Sequence, residues 1–206
     1  MLKVWGRANS LNVQKVMWAV AELGLPYERI DVGGAFGGLD TPAYAALNPN
    51  RLIPVLEDGG TVVWESNAIV RYLAARYGAG TLWPEDPATR AAADRWMDWQ
   101  LTTLQPSLSP VFLGLVRTPP EQRDMAAIGI HAERLGQAMR ILDDHLAGRR
   151  FVAGDALTMG DIPLGCVYWR YVNLAIDRPE LPNLAAWHER LAAREAYRQN
   201  VMLPLT

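Results

Sequence analysis

Residues 2–32 read LKVWGRANSLNVQKVMWAVAELGLPYERIDV, and this stretch decides the fold. Leu2 to Trp5 alternates weakly between apolar and polar residues and stops at Gly6, the pattern of a short strand feeding a turn. From Asn12 the apolar residues Val13, Val16, Met17, Val20 and Leu23 recur at helical spacing, until Gly24 and Pro26 end the element. Tyr27 to Val32 then reads as a second strand. Strand, helix and strand in immediate succession form a β-α-β unit.

Working outward, Gly33 to Asp40 reads as a glycine-rich loop, and a short helix is expected through Tyr44 to Leu47, before Pro49. Ile53 to Leu56 and Thr61 to Trp64 flank Asp58-Gly59-Gly60, a hairpin signal. Ser66 opens a further helix with Ile69, Leu73 and Tyr77 turned inward. The order is therefore β-α-β, link, β-β-α, an α/β unit. Gly78 to Pro87 carries two prolines and no helical period, which sets a first domain at 1–78, a linker at 79–87 and a second domain at 88–206. The second domain reads as all-helical. Ala88 to about Arg117 is one span with bends expected at Pro106 and Pro110. Glu121 to Leu146 is another, with Ile128, Leu135 and Leu142 recurring as for a buried central helix, and Asp161–Val172 and Leu184–Arg194 follow.

With 206 residues the chain has room for two small domains without covalent staples. A net charge of −2 supplies no long-range field for nucleic acid or an anionic membrane, so a small partner is expected. The opening residues lack the apolar core of a signal peptide, and no apolar run approaches the ~20 residues of a membrane span. One cysteine, Cys166, allows no intrachain disulfide and no multi-cysteine metal site; it sits in an apolar stretch and reads as buried and inert. His131, His145 and His188 show no ligand spacing. A cytoplasmic chain without a metal is the expectation.

Three short stretches carry candidate chemistry. Asn9-Ser10-Leu11-Asn12 stands where the first strand meets the first helix, and a helix N-terminus stabilises an anion there. Redox proteins built on a β-α-β unit put a Cys-x-x-Cys pair at that place; here Ser10 and Val13 stand instead, so any thiol must come from a bound molecule. A hydroxyl donating to a bound thiolate lowers its pKa and raises the fraction of nucleophile. Equally, Ser10 or Asn12 has the right chemistry for a plain helix cap. At Ile53-Pro54-Val55, a strand starting on proline suggests free main-chain groups at Val55 able to pair with an extended peptide, or a structural turn. In Glu65-Ser66-Asn67, Ser66 as N-cap offers N–H groups to a carboxylate and Glu65 pairs with an ammonium, unless these are only a cap and a solvated acid.

Together these stretches resemble the soluble glutathione transferases. The likeness rests on Ser-x-Asn at the first helix, Asn48-Pro49 followed by Ile53-Pro54-Val55, then Glu65-Ser66-Asn67-Ala68-Ile69. It is extended by Gly24-Leu25-Pro26-Tyr27-Glu28 and by Phe151-Val152-Ala153-Gly154 with Thr158-Met159-Gly160-Asp161-Ile162. The resemblance is to the serine-using theta and phi classes and to the nu class. It implies a thioredoxin-like first domain that binds glutathione as cosubstrate, an all-α helical-bundle second domain, and a homodimer. By resemblance Ser10, with Asn12 close behind, serves the glutathione sulfur; Ile53, before a proline expected to be cis, holds the cysteinyl backbone; Glu65 and Ser66 hold the γ-glutamyl end.

Two departures stand out: Leu39 and Asp40 replace the histidine-lysine pair of phi members, and Leu52 replaces their glutamine, so the glycyl carboxylate has no obvious partner. Arg51, Asn50 and the loop Gly33 to Gly38 remain open for it. Thr158 and Asp161 read as a structural cap. Leu104, Leu108 and Phe112, with Tyr168 and Trp169 opposite, are the candidate wall for a hydrophobic electrophile. The activity implied is conjugation of the glutathione thiolate to that electrophile. Glutathione-dependent disulfide or peroxide reduction, and a non-catalytic binding protein of the same fold, are the alternatives.

Overall fold

A computed structural model describes residues 1–206. Four short strands form one mixed sheet in the order β2-β1-β3-β4, where β1 is Leu2–Trp5, β2 Tyr27–Ile30, β3 Val55–Asp58 and β4 Thr61–Trp64. β1 runs parallel to β2, which demands a crossover, and α1 (Leu11–Glu22) supplies it. β3 is antiparallel to both β1 and β4. With α2 (Pro42–Leu47) and α3 (Ser66–Tyr77) the unit is the thioredoxin-like one implied by the β-α-β, link, β-β-α order.

Some boundaries differ from their sequence patterns. β2 ends at Ile30, and the following loop tightens into a 3-10 turn at Gly34–Phe36, where Gly33, Gly34, Gly37 and Gly38 all take positive φ. β3 begins at Val55, because the cis Ile53-Pro54 bond lies outside the ladder. Tyr77 is not turned inward: it is 39% exposed, and its hydroxyl donates to Asp58 at 2.7 Å beside that of Tyr72 at 2.8 Å.

The helical half opens with α4 (Pro87–Trp99), capped by Asp86, which accepts from the Thr89 N–H at 2.8 Å. The chain then widens into π turns at Gln100–Leu104, continues as α5 (Gln105–Phe112) and widens again at Leu113–Arg117. The first widening directly precedes Pro106, whose ring cannot sit under an ordinary i−4 carbonyl. α6 (Met125–Leu146) starts four residues later than the sequence pattern suggests, because Pro120–Gln122 forms a 3-10 turn and Asp124 is the cap, accepting from the Ala127 N–H at 2.9 Å. Nor is α6 the buried central helix. Leu135, Met139 and Leu142 are buried on one face while Ile130 and Ile141 are exposed on the other.

The centre is α7 (Asp161–Asn173), followed by α8 (Pro182–Ala192) and a short α9 (Glu195–Asn200). Two glycines let α7 approach its neighbours. A Cβ on Gly165 would lie 2.7 Å from the Trp18 ring of α1, and one on Gly160 would lie 2.6 Å from the Ala93 carbonyl of α4. The apolar core therefore runs unbroken from α1 and α3 into the helical half, with the Trp18 and Tyr197 rings edge to face at 4.7 Å. The ion pairs of Glu22 with Arg194, and of Arg71 with Asp94 and Asp98, tie the two halves at the rim.

At the start of α7, fully buried Asp161 accepts from the N–H groups of Val152 (3.1 Å) and Thr158 (3.0 Å), the Thr158 hydroxyl (3.2 Å) and the Trp187 indole (3.0 Å). Burial pushes this carboxyl up, against the four bonds that favour its charged form. The pair thus differs from a reciprocal capping box, because the Thr158 hydroxyl is spent on Asp161 and caps no main-chain N–H. No helix is long and apolar enough to cross a membrane.

Candidate active site

The turn from β1 into α1 puts Ser10 at the N-cap position, in extended backbone, yet its hydroxyl caps nothing and has no partner in the chain. The capping role open to it is not taken. Asn12, one residue into the helix, accepts at Oδ1 from the Ser66 hydroxyl at 3.2 Å, which leaves its amide Nδ2 as the free donor. Two donors thus stand at the positive end of a three-turn helix.

Ile53 precedes the cis proline, and neither its N–H nor its C=O is bonded within the chain. The Leu52 carbonyl next to it is taken, by the Tyr44 hydroxyl and the Asn48 amide, both at 2.8 Å. Val55, by contrast, sits inside the sheet between Trp5 and Trp64, so the free main chain lies two residues earlier than the sequence pattern suggests.

Glu65 holds φ 72, ψ 113, a conformation costly for any residue with a side chain, of order 1–3 kcal/mol. It occupies the N-cap position of α3, with Ser66 as the first helical residue, so Ser66 is not the cap. No side chain caps this helix start, and the exposed Glu65 carboxylate has no ion-pair or hydrogen-bond partner. An unpaired acid beside an uncapped helix start has the chemistry to take an ammonium and a carboxylate together.

Behind these groups lies a residue whose role the sequence reading did not foresee. Lys15 is fully buried, with its ammonium 2.9 Å from Gln100 Oε1 and 3.4 Å from the Ser66 hydroxyl, and no carboxylate pairs with it. Burial pulls it down to about 8, with Glu65 acting upward and Arg170 downward. Its only sequence signal is a charge on the apolar face of α1. Between about 8 and the ordinary 10.5 the unfolded chain binds the proton that the folded chain has released, so stability rises with pH across that window. The expected gain is roughly 3 kcal/mol by about pH 10, absent below about pH 8, and Lys15→Met flattens it. Urea midpoints for both proteins across the window check this.

Ser10 and Asn12 open into a cleft of about 520 Å³ between the two halves. Leu108 and Phe112 are in its wall, and Arg7, Gln105, Ser109, Arg117 and Arg170 join them unforeseen. Three of the proposed wall residues lie elsewhere. Leu104 is sealed in the core, Tyr168 packs on Trp187 and His188, and Trp169 donates to the Leu203 carbonyl at 2.9 Å. Of the residues open for a glycyl carboxylate, Arg51 is paired with Asp40 at 3.3 Å. A larger concavity of about 780 Å³, between α6 and residues 174–179, has none of the free donors described above. No group of three or more His, Cys, Asp or Glu is placed to hold a metal ion. Burial pushes the Cys166 thiol up to about 12, so it stays protonated.

The family model "Glutathione S-transferase, N-terminal domain" matches residues 9–76, and "Glutathione S-transferase, C-terminal domain" matches residues 90–190. Glutathione S-transferase GstB of Escherichia coli (strain K12) is 43% identical over the full length of both chains. The chain belongs to the glutathione S-transferase family. Glutathione S-transferase 3 of Zea mays is 32% identical, over 97% of this chain and 93% of its own. The theta class glutathione S-transferase of Xanthomonas axonopodis pv. citri, solved with glutathione bound, superposes with a TM-score of 0.96 at 49% identity, covering 100% of this chain and 99% of that one. A glutathione S-transferase takes glutathione as cosubstrate, and the unpartnered groups here match that tripeptide's chemistry. Glutathione carries an amino-acid head, a peptide backbone and a thiol, the three kinds of group that unpartnered acids, main chain and donors of this sort can take.

Proposed function

We propose that this transferase joins the glutathione thiolate to the electrophilic carbon of a second substrate with an apolar body, held in the cleft beside Ser10. The observation that carries the reading is that Ser10 and Asn12 keep free donors at the α1 N-terminus, open to a cleft walled by Leu108 and Phe112. Ser10 and Asn12 donate to the thiolate, Ile53 pairs with the cysteinyl backbone next to Pro54, and Glu65 and Ser66 hold the γ-glutamyl ammonium and carboxylate. Thr158 and Asp161 serve folding. Catalysis then consists of thiol activation and of bringing two reactants together, with no group on the protein forming a covalent bond.

The glutathione-binding unit is assigned to 1–78 and the helical unit to 88–206, joined by 79–87. We place the protein in the cytoplasm, in keeping with its one unpaired, buried cysteine. A homodimer follows from the family and from apolar side chains left exposed at Val62 and Trp64 on the edge strand β4 and at Leu101 beyond α4. The function is tested by incubating the protein with glutathione and chlorodinitrobenzene, and in parallel with a small organic disulfide. One thioether and one chloride per thiol consumed is the expected result. Turnover of the disulfide alone would replace conjugation with reduction.

A further inference from the structure

The cleft that holds Ser10 has an unusual charge pattern for a site expected to take an apolar molecule. Arg7, Arg117 and Arg170 line it, and no carboxylate does. None of the three is paired with an Asp or Glu side chain, although the chain forms such pairs elsewhere with Arg29, Arg51, Arg71, Arg76 and Arg194, and Arg117 is held by the oxygen of the terminal residue Thr206.

Arg170 is the most telling. It is 8% exposed, and its one hydrogen bond goes to the Asn9 carbonyl at 3.0 Å, while its Nε is buried without a partner. Its guanidinium lies over the Phe112 ring at 4.2 Å, with that of Arg117 over the same ring at 5.7 Å. Arg117 otherwise donates to the main-chain oxygen of Thr206. Arg7 makes no side-chain hydrogen bond and runs beside Gly34, where a Cβ would lie 3.2 Å from its Nε. Burial pulls Arg170 down to about 10, with Arg117 and Arg7 adding repulsion. Cation–π contact offsets part of that cost and leaves the unused donor unexplained. A buried guanidinium without a counter-charge is destabilising, and an arriving anion relieves that cost.

We propose that the second substrate is an anion, an electrophile on an apolar body bearing a carboxylate or similar oxyanion, clamped by Arg170, Arg117 and Arg7. The proposal rests on the transferase reading above and names its substrate class. Arg117 and Arg170 stand on the α5 extension and on α7 with the wall residue Phe112, whereas Ile53, Glu65 and Ser66 belong to the other half. Arg7 stands in the glutathione-binding half, beside Gly33 and Gly34, so the assignment to the second substrate rests on Arg117 and Arg170, and the glycyl carboxylate of glutathione is the rival source of the same charge. In the reaction the thiolate sulfur attacks the halogen-bearing carbon, the C–S bond forms, and the halide leaves with the C–halogen pair. The oxyanion changes no bond and serves as a handle.

The test compares a chloronitrobenzoate with its methyl ester, each rate divided by the uncatalysed reaction with glutathione. The protein is expected to favour the acid by about tenfold or more in kcat/KM, and Arg170→Met to remove most of that preference. Arg117→Gln, at an exposed position, lowers it by about threefold without the folding risk of a buried change, and Arg170→Lys restores part of it. A ratio near one, or one unmoved by both variants, overturns the proposal. So does a variant series that instead loses its preference for glutathione over the glycyl ester of glutathione, since the anion is then glutathione's own. Calorimetric affinity for the S-aryl glutathione products, acid against ester, is measured alongside and needs no turnover. Preference for the acid product without turnover of either electrophile upholds the anion site and sinks the transferase reading.

Discussion

Asp161→Ala is expected to lower the stability of the chain by about 3–5 kcal/mol. The carboxylate is the shared acceptor for Val152, Thr158 and Trp187, which come from three separate segments around the start of α7. Alanine leaves two main-chain N–H groups and an indole N–H buried without an acceptor, at about 1–3 kcal/mol each before relaxation, and opens a void besides. Set against a total of about 5–15 kcal/mol for a domain, the loss is severe. Because α7 packs against both α1 and α4 through Gly165 and Gly160, the damage reaches the half that carries Ser10. Urea denaturation measures it. A loss below about 1 kcal/mol would mean that water replaces the carboxylate and that Asp161 is no keystone.

The second large effect is catalytic. Ser10→Ala and Asn12→Ala are each expected to reduce kcat/KM by about threefold at neutral pH, and the double variant by about twenty-five-fold, the fall in thiolate fraction when the thiol pKa rises by one and by two units. A hydrogen bond to a charged acceptor is worth about 1.5–3 kcal/mol, so two of them hold the thiol roughly two units below the usual value of about 8.5. Losing both leaves only a few per cent thiolate at neutral pH. The deficit must shrink as pH rises towards about 9, where glutathione ionises unaided; an equal deficit at all pH values points to positioning instead. Asn12 differs from Ser10 in one respect: its removal also takes the acceptor from the Ser66 hydroxyl, so Asn12→Ala is expected to raise the glutathione KM as well.

The fold was largely legible in the sequence because its punctuation is local. Gly6, Gly24 with Pro26, and Gly59 with Gly60 mark turns whatever packs around them, and the order β-α-β, link, β-β-α follows. What depends on tertiary packing was not legible. Heptad spacing in α6 looks the same whether one face or all faces are covered, and the burial of α7, with Gly160 at its cap and Gly165 within it, shows which helix lies at the centre. The start of α6 was misplaced because Asp124 caps better than anything near Glu121. In the site, Ser10, Asn12, Glu65 and Ser66 were visible as helix-start chemistry and Ile53 through family resemblance, while excluding Val55 as the free main chain needed the strand register. The arginines were missed for a simpler reason. Arg7 and Arg117 read as ordinary surface charges, and only Arg170, set in the apolar run Cys166 to Tyr171, carried a signal worth following.

Stabilisation of a thiolate by the β1–α1 turn is the step on which catalysis by this protein depends. Difference absorbance of the thiolate, followed against pH in the binary complex with glutathione and no second substrate, reads this directly. A bound-thiol pKa of about 6–7 in the natural protein, returning to about 8 or above in the Ser10→Ala, Asn12→Ala double variant, is the predicted result. A bound thiol that titrates like free glutathione in both proteins would contradict it.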